Sequence, residues 1–240
     1  MTSPVILVIE PDPIAGLDRF GAWLSECGLD VQIVRPYEGQ SVPPIAGYDG
    51  MIVLGGRMSA HDSGQYPWLV DVFDRIRDAA HLRTPTMGIC LGAQVMAHAL
   101  GGEVLVDSGK SEVGPVTVRV AEAAADPLLD GLGAEFLVAE DHRDMISRLP
   151  AGATRLAGSA DYENQVFRVG DVMWGVQFHP EVSVAGFRGW IDDAIRDGSD
   201  AASLELTMKQ FEAADPVIRE NAAIIAKKFA AVVLTQSEAS

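Results

Sequence analysis

Only two cysteines, Cys27 and Cys90, occur in this chain of 240 residues. Two thiols cannot make a disulfide framework, and no CxxC pair or Cys/His cluster offers ligand spacing, so no disulfide scaffold, metal centre or other cofactor is expected. Cations are also scarce. There are 18 Lys and Arg against 34 Asp and Glu, a formal net charge of −16. So acidic a surface repels a phosphate backbone and gives anionic lipid no polybasic handle, which argues against nucleic-acid and membrane partners. No apolar run is long enough to span a bilayer. The first apolar stretch, Val5–Ile9, lacks a basic leader and a small-residue cleavage site, so it does not read as a secretory signal. A reducing cytoplasm is the location these absences predict.

What is present is an ordinary globular composition, 48% hydrophobic and 22% charged, which excludes wholesale disorder. Residues 4–9, 31–34, 51–54 and 86–89 are short, β-branched apolar runs that read as buried strands. Between them, helical spacing is seen from Ile14 to Cys27, with Gly28 as its stop, and over residues 67–80 and 91–100. Strands alternating with helices in short steps predict a mostly parallel central sheet with helices on both faces, an α/β fold. After Gly102 the texture changes. Residues 113–120, 135–139, 154–159, 165–169 and 172–178 read as strands with few helices between them, an antiparallel extension of the same sheet. Residues 184–196 are helical again, and extra C-terminal helices follow. We expect one domain over residues 1–198 and a helical extension over 199–240.

In that extension Asp215 and Pro216 form a helix start, a capping acid followed by proline at the first helical position. Ile218, Ala222, Ile225, Phe229 and Val232 then make one apolar stripe. The stripe must be covered, either by this chain's own sheet and helices or by a second copy or partner helix.

The sharpest local signal is Gly88-Ile-Cys-Leu-Gly92. It sets a nucleophile between two glycines, after an apolar strand and before a helix, the context of a nucleophile elbow with Cys in place of Ser. The following helix points its positive end at the sulfur, which favours thiolate. A thiolate nucleophile needs a base and a group that orients the base. Of five histidines, only His179 is suitably set, in Gly175-Val-Gln-Phe-His-Pro-Glu181 at a strand end. Two residues apart in extended chain, His179 and Glu181 point to the same side, so Glu181 can hold the imidazole tautomer. Oxyanion donors are available at the N–H of Leu91 and at Gly55-Gly56, where no Cβ blocks approach. Cys27, on an apolar helix face, reads as core, His98 as packing, and Asp12, Asp62 and Asp71 as ordinary turn or surface acids.

Val53-Leu-Gly-Gly56, Gly88-Ile-Cys-Leu-Gly-Ala-Gln94 and Gly175-Val-Gln-Phe-His-Pro-Glu181 together resemble the class I, triad-type glutamine amidotransferases in order and spacing, from about residue 4 to about residue 190. The segments Gly55-Gly-Arg-Met-Ser-Ala-His-Asp62, Glu112-Val-Gly-Pro-Val116 and Asn164-Gln-Val-Phe-Arg168 are similar to stand-alone members related to the glutaminase domain of GMP synthase. The resemblance implies that Cys90 attacks the glutamine side-chain amide to form a γ-glutamyl thioester. It implies that His179 protonates ammonia and activates water, that Glu181 orients His179, and that Gly56 and Leu91 bind the oxyanion. It places Gln94 at the glutamine-binding position and His142, within Asp141-His-Arg-Asp144, near the amino-acid end of the substrate. Arg57 departs from the proline that many relatives carry after the double glycine. Neither a Walker-type loop nor room for an ATP-dependent domain follows Glu181, so the ammonia is expected to serve a separate synthetase. Two other functions stay open on the residues alone: hydrolysis of other γ-glutamyl amides or peptides, and a non-catalytic regulatory protein of the same fold.

Overall fold

The computed structural model describes residues 3–121 and 125–239. Strand β1 (Val5–Ile9) leads through α1 (Asp18–Glu26) to β2 (Asp30–Val34), and β3 (Gly50–Val53) through α2 (Trp68–Leu82) to β4 (Thr86–Ile89). Helix α3 (Leu91–Ala99) follows β4 directly. A run of strands comes next: β5 (Glu103–Leu105), β6 (Glu112–Val120), β7 (Glu135–His142), β8 (Met145–Arg148), β9 (Thr154–Gly158), β10 (Val166–Val169) and β11 (Met173–Val176). Helices α4 (Val184–Arg196) and α5 (Ala201–Ala239) complete the chain.

Nine of the strands form one sheet in the order β2-β1-β3-β4-β11-β10-β9-β6-β7, and β5 pairs with β8 apart from it. The first five positions run parallel, and from β11 onward the neighbours are antiparallel. This is the α/β architecture with an antiparallel extension that the alternation of elements predicts. Every residue of β3, β4 and β11 is buried, as expected of central strands covered on both faces. The observed strands start or stop within a few residues of the apolar runs. The first helix is shorter than expected, because residues 14–17 form the approach to it.

The start expected at Asp215–Pro216 is absent, and α5 runs unbroken through Pro216. An interior proline deletes one backbone hydrogen bond and crowds the carbonyl four residues back, at a cost of about 3 kcal/mol. Packing on both sides of it offsets that cost. Met208, Phe211 and Ile218 are buried with Phe187, Trp190 and Ile191 of α4. Phe211 stacks on Phe187 with ring centroids 4.2 Å apart. Asp215 is no helix cap; its carboxylate accepts from Nη2 of Arg19 in α1 at 2.5 Å. Beyond the proline, Ile225 and Phe229 join the main core together with Val233, and Val232 packs half-buried against it. The apolar stripe therefore closes this chain's own core.

Candidate active site

The parallel register puts Gly88 beside Gly175 and Ile89 beside Val176. The ends of β4 and β11 therefore deliver Cys90 and the His179 segment to the same edge of the sheet, at the carboxyl ends of parallel strands where α/β folds place their sites. The Cys90 N–H donates to the Val176 carbonyl at 2.9 Å. Cys90 occupies the N-cap of α3 with φ +50° and ψ −108°. A non-glycine residue held there costs about 1–3 kcal/mol and persists only when its surroundings over-determine it. The surroundings are tight. A Cβ on Gly88 would lie 2.5 Å from the Gly92 carbonyl oxygen, and one on Gly92 would lie 2.0 Å from that of Val53. The two glycines let α3 dive against β3 and β4, and this sharp turn presents the sulfur.

His179 is 4% exposed, and its Nδ1 lies 2.8 Å from Oε1 of Glu181. The pair meets across a turn at Pro180–Glu181 and not, as expected, along extended chain. The His179 N–H is anchored on the Ala139 carbonyl of β7 at 2.8 Å. Trp190 of α4 stands edge-on to the imidazole with centroids 4.5 Å apart. Burial alone would favour the neutral ring. Glu181 and the Cys90 sulfur outweigh burial, through charge and hydrogen bonds, and hold the imidazole pKa well above its ordinary value. The ring thus lies between a carboxylate and a sulfur that both favour its charged form.

Gly55 and Gly56 close the opposite side. A Cβ on Gly55 would fall 2.8 Å from Cε1 of His179, and one on Gly56 would fall 3.0 Å from Cδ2 of Leu91. Only glycine leaves room for the imidazole there. The double glycine thus lies against both His179 and Leu91, the residue that follows Cys90.

Gln94 is 3% exposed, and its Nε2 donates to the Asp144 carbonyl at 3.2 Å and to Oε1 of Gln177 at 3.3 Å. His142 reaches the same carbonyl through Nδ1 at 2.9 Å. It is buried beside Tyr162, Glu112 and Glu140 and is not a solvated loop residue. Burial first, and Glu112 second, push the Glu140 carboxyl well above the usual carboxylate range. Sequence reasoning missed Asp12, Glu140, Gln177 and Trp190, whose places are set by contacts made on folding: Asp12 with Arg57, Glu140 with Glu112 and His142, Gln177 with Gln94, and Trp190 with His179 and the Ile14 carbonyl. Cys27 packs half-buried on the main core, and His98 sits between His61 and Phe73.

The model of the class I glutamine amidotransferase family matches residues 22–189. The glutamine amidotransferase-like protein YfeJ of Salmonella typhimurium is 30% identical over 184 residues, 75% of this chain and 76% of that protein. One subunit of the glutamine-hydrolysing GMP synthase of Sulfolobus acidocaldarius is 33% identical over 66% of this chain and 80% of its own length. The GMP synthase of Porphyromonas gingivalis is 38% identical over 58% of this chain, but the match spans only 26% of that enzyme. Among solved structures, a glutamine amidotransferase from Thermotoga maritima superposes with a TM-score of 0.83 at 26% identity, over 96% of this chain and 99% of that one.

Proposed function

This chain belongs to the class I glutamine amidotransferases, and we propose that it hydrolyses the side-chain amide of glutamine through Cys90 and passes the ammonia to a separate synthetase. The observation that carries the reading is the convergence of a strained cysteine at a helix N-terminus with a buried histidine held on Glu181, a setting that raises the imidazole pKa. A sulfur and an imidazolium so placed form a nucleophile with its proton donor already in hand.

In this reading Cys90 Sγ attacks the glutamine Cδ. The carbonyl oxygen becomes an oxyanion that the N–H groups of Leu91 and Gly56 bind. The tetrahedral species collapses as the carbon–nitrogen bond breaks and His179 gives its proton to the departing nitrogen, which leaves as ammonia. A γ-glutamyl thioester remains on Cys90. His179, now neutral, takes a proton from water as that water attacks the thioester, and glutamate and the free sulfur are released. Glu181 keeps the ring oriented and stabilises its charge throughout. Gln94, through Asp144, positions the substrate, and His142 supports the segment that faces the amino-acid end of glutamine.

Ammonia is of little use without an acceptor. The kinship with one subunit of a glutamine-hydrolysing GMP synthase supports a partner polypeptide that consumes it. The decisive test is a screen of the purified chain against glutamine, γ-glutamyl amines and γ-glutamyl peptides, with release of ammonia and glutamate as the readout. Turnover of glutamine that disappears in Cys90→Ala supports the reading. Turnover of γ-glutamyl peptides with glutamine left intact replaces it with a γ-glutamyl hydrolase.

A further inference from the structure

A second cluster of donors lies on β6 and β7. Glu112 and His142 are register partners across these antiparallel strands, and Glu140 stands two residues before His142, on the same face. The exposures of the three are 7%, 5% and 0%. One ring nitrogen of His142 and one oxygen from each carboxylate all lie within 4.8 Å of one another.

Three features set this cluster apart from an ordinary ion pair. The first is the tautomer. His142 Nδ1 faces the Asp144 carbonyl, which only accepts, so Nδ1 carries the proton. In the neutral ring Nε2 then turns a lone pair toward two carboxylates. Metal-ligating histidines are held in this way, with the other ring N–H on a carbonyl or carboxylate. The second feature is distance. Nε2 lies 3.3 Å from Oε2 of Glu112 and 3.4 Å from Oε2 of Glu140. A charge-assisted hydrogen bond closes to about 2.7–2.9 Å. Ligand atoms around tetrahedral zinc, with bonds of about 2.0–2.2 Å, stand about 3.3–3.5 Å apart. The third feature is unmet hydrogen-bonding capacity. Both carboxylate oxygens of Glu140 and Oε1 of Gln165 are buried without a hydrogen-bond partner among the described residues. Gln165 Nε2 meanwhile donates to Glu112 at 2.6 Å, which aims that carboxylate as an outer-shell partner does.

We propose that Glu112, Glu140 and His142 bind one divalent transition-metal ion, with water or the Gln165 amide oxygen in the fourth position. Two buried carboxylates cancel the double charge of such an ion. An imidazole among oxygen donors selects zinc over magnesium or calcium. The bound ion clamps β6 to β7. It also fixes His142 against the Asp144 carbonyl that Gln94 shares, so it braces the substrate side of the catalytic pocket.

The test begins with the unmodified, untagged chain. After dialysis against a chelator it is titrated with Zn²⁺ by calorimetry and with Co²⁺ by visible absorption, and its metal content is measured by mass spectrometry. The expected result is one equivalent per chain with the intense absorption of four-coordinate cobalt. Glu140→Gln and Glu112→Gln should each weaken binding by about 10–100-fold or more while keeping the native circular dichroism. Failure of the unmodified chain to take up a stoichiometric ion would overturn the proposal, since a proton would then be what holds the cluster together. One-to-one binding that is unchanged in a folded Glu140→Gln chain would also overturn it, because the ion would then sit elsewhere.

Discussion

Arg57 grips Asp12 at three points: its Nε donates to Oδ2 at 2.9 Å, its Nη2 to Oδ1 at 3.0 Å, and its backbone N–H to Oδ2 at 3.1 Å. Asp12 is 3% exposed and lies between β1 and α1, while Arg57 follows the double glycine. A planar fork on a planar carboxylate fixes both partners in orientation. The loop that carries the Gly56 N–H is thus tied to the segment after the neighbouring strand by a side chain.

Loss of the clamp should loosen the oxyanion donor and leave the fold intact. Arg57→Ala is expected to lower kcat for glutamine by about tenfold, less than the 10²–10³-fold of deleting a donor outright. KM should change little. Burial opposes ionisation of Asp12, but hydrogen bonds from Arg57 prevail and hold its pKa below the usual value. A depressed folded pKa contributes stability above the unfolded value and loses it as pH falls through the folded one. The melting-temperature gap between wild type and Arg57→Ala should therefore be widest near neutrality and close in acid. A gap that does not change with pH would count against the clamp.

Cys90 should be the sole essential thiol. A glutamine-mimicking electrophile is expected to label one site per chain, with labelling and glutamine hydrolysis both abolished in Cys90→Ala. Cys27→Ala should leave both near wild type, since its thiol packs half-buried on the core. Peptide mapping of the labelled protein checks this directly.

The histidine gives a pH signature. Its folded pKa lies well above the ordinary value of about 6.5. The stabilisation from the charged ring is thus complete below the unfolded pKa and is lost as pH rises through the folded one. The alkaline limb of kcat/KM should report the loss of the same proton, which ammonia must carry away. Removing the Glu181 charge lowers the ring pKa, so in Glu181→Gln that limb should move to lower pH. His179→Ala should lose about 10²–10⁴-fold in kcat across the whole range. A pH–rate series on the three proteins decides the matter.

The tail is load-sharing structure. Phe229 is fully buried in the main core, so Phe229→Ala should cost about 3–5 kcal/mol. Truncation after Ala214 removes Ile218, Ile225, Phe229 and Val233 together. Their combined loss rivals the roughly 5–15 kcal/mol that holds a typical domain folded. Thermal unfolding of the point variant and the yield of soluble truncated chain are the measurements. A truncated chain that melts like wild type would contradict the packing.

Local features made Cys90 and His179 legible in the sequence as candidate nucleophile and base. Gly88 and Gly92 flank Cys90 because α3 comes within contact distance of β3 and β4, a constraint that leaves its mark in five consecutive residues. Contacts made only by folding were not legible. Asp12 and Arg57 are 45 positions apart, and Trp190 reaches the Ile14 carbonyl across 176. Glu112 meets His142 only through the register of β6 on β7, so a search for ligand spacing along the chain passes over it. Pro216 misled for the converse reason. Its local rule is sound, but the aromatic packing of α4 against α5 overrides it.

The central sheet does not follow chain order. Strand β11 lies beside β4, although six strands separate them in sequence. During synthesis the cysteine elbow is therefore made long before its histidine exists, and β4 must wait with an open edge until β11 arrives. A ribosome-bound chain that ends before His179 carries Cys90 without its imidazole partner. The chemistry proposed for Cys90 therefore awaits the insertion of β11 beside β4, which comes only after most of the polypeptide has emerged.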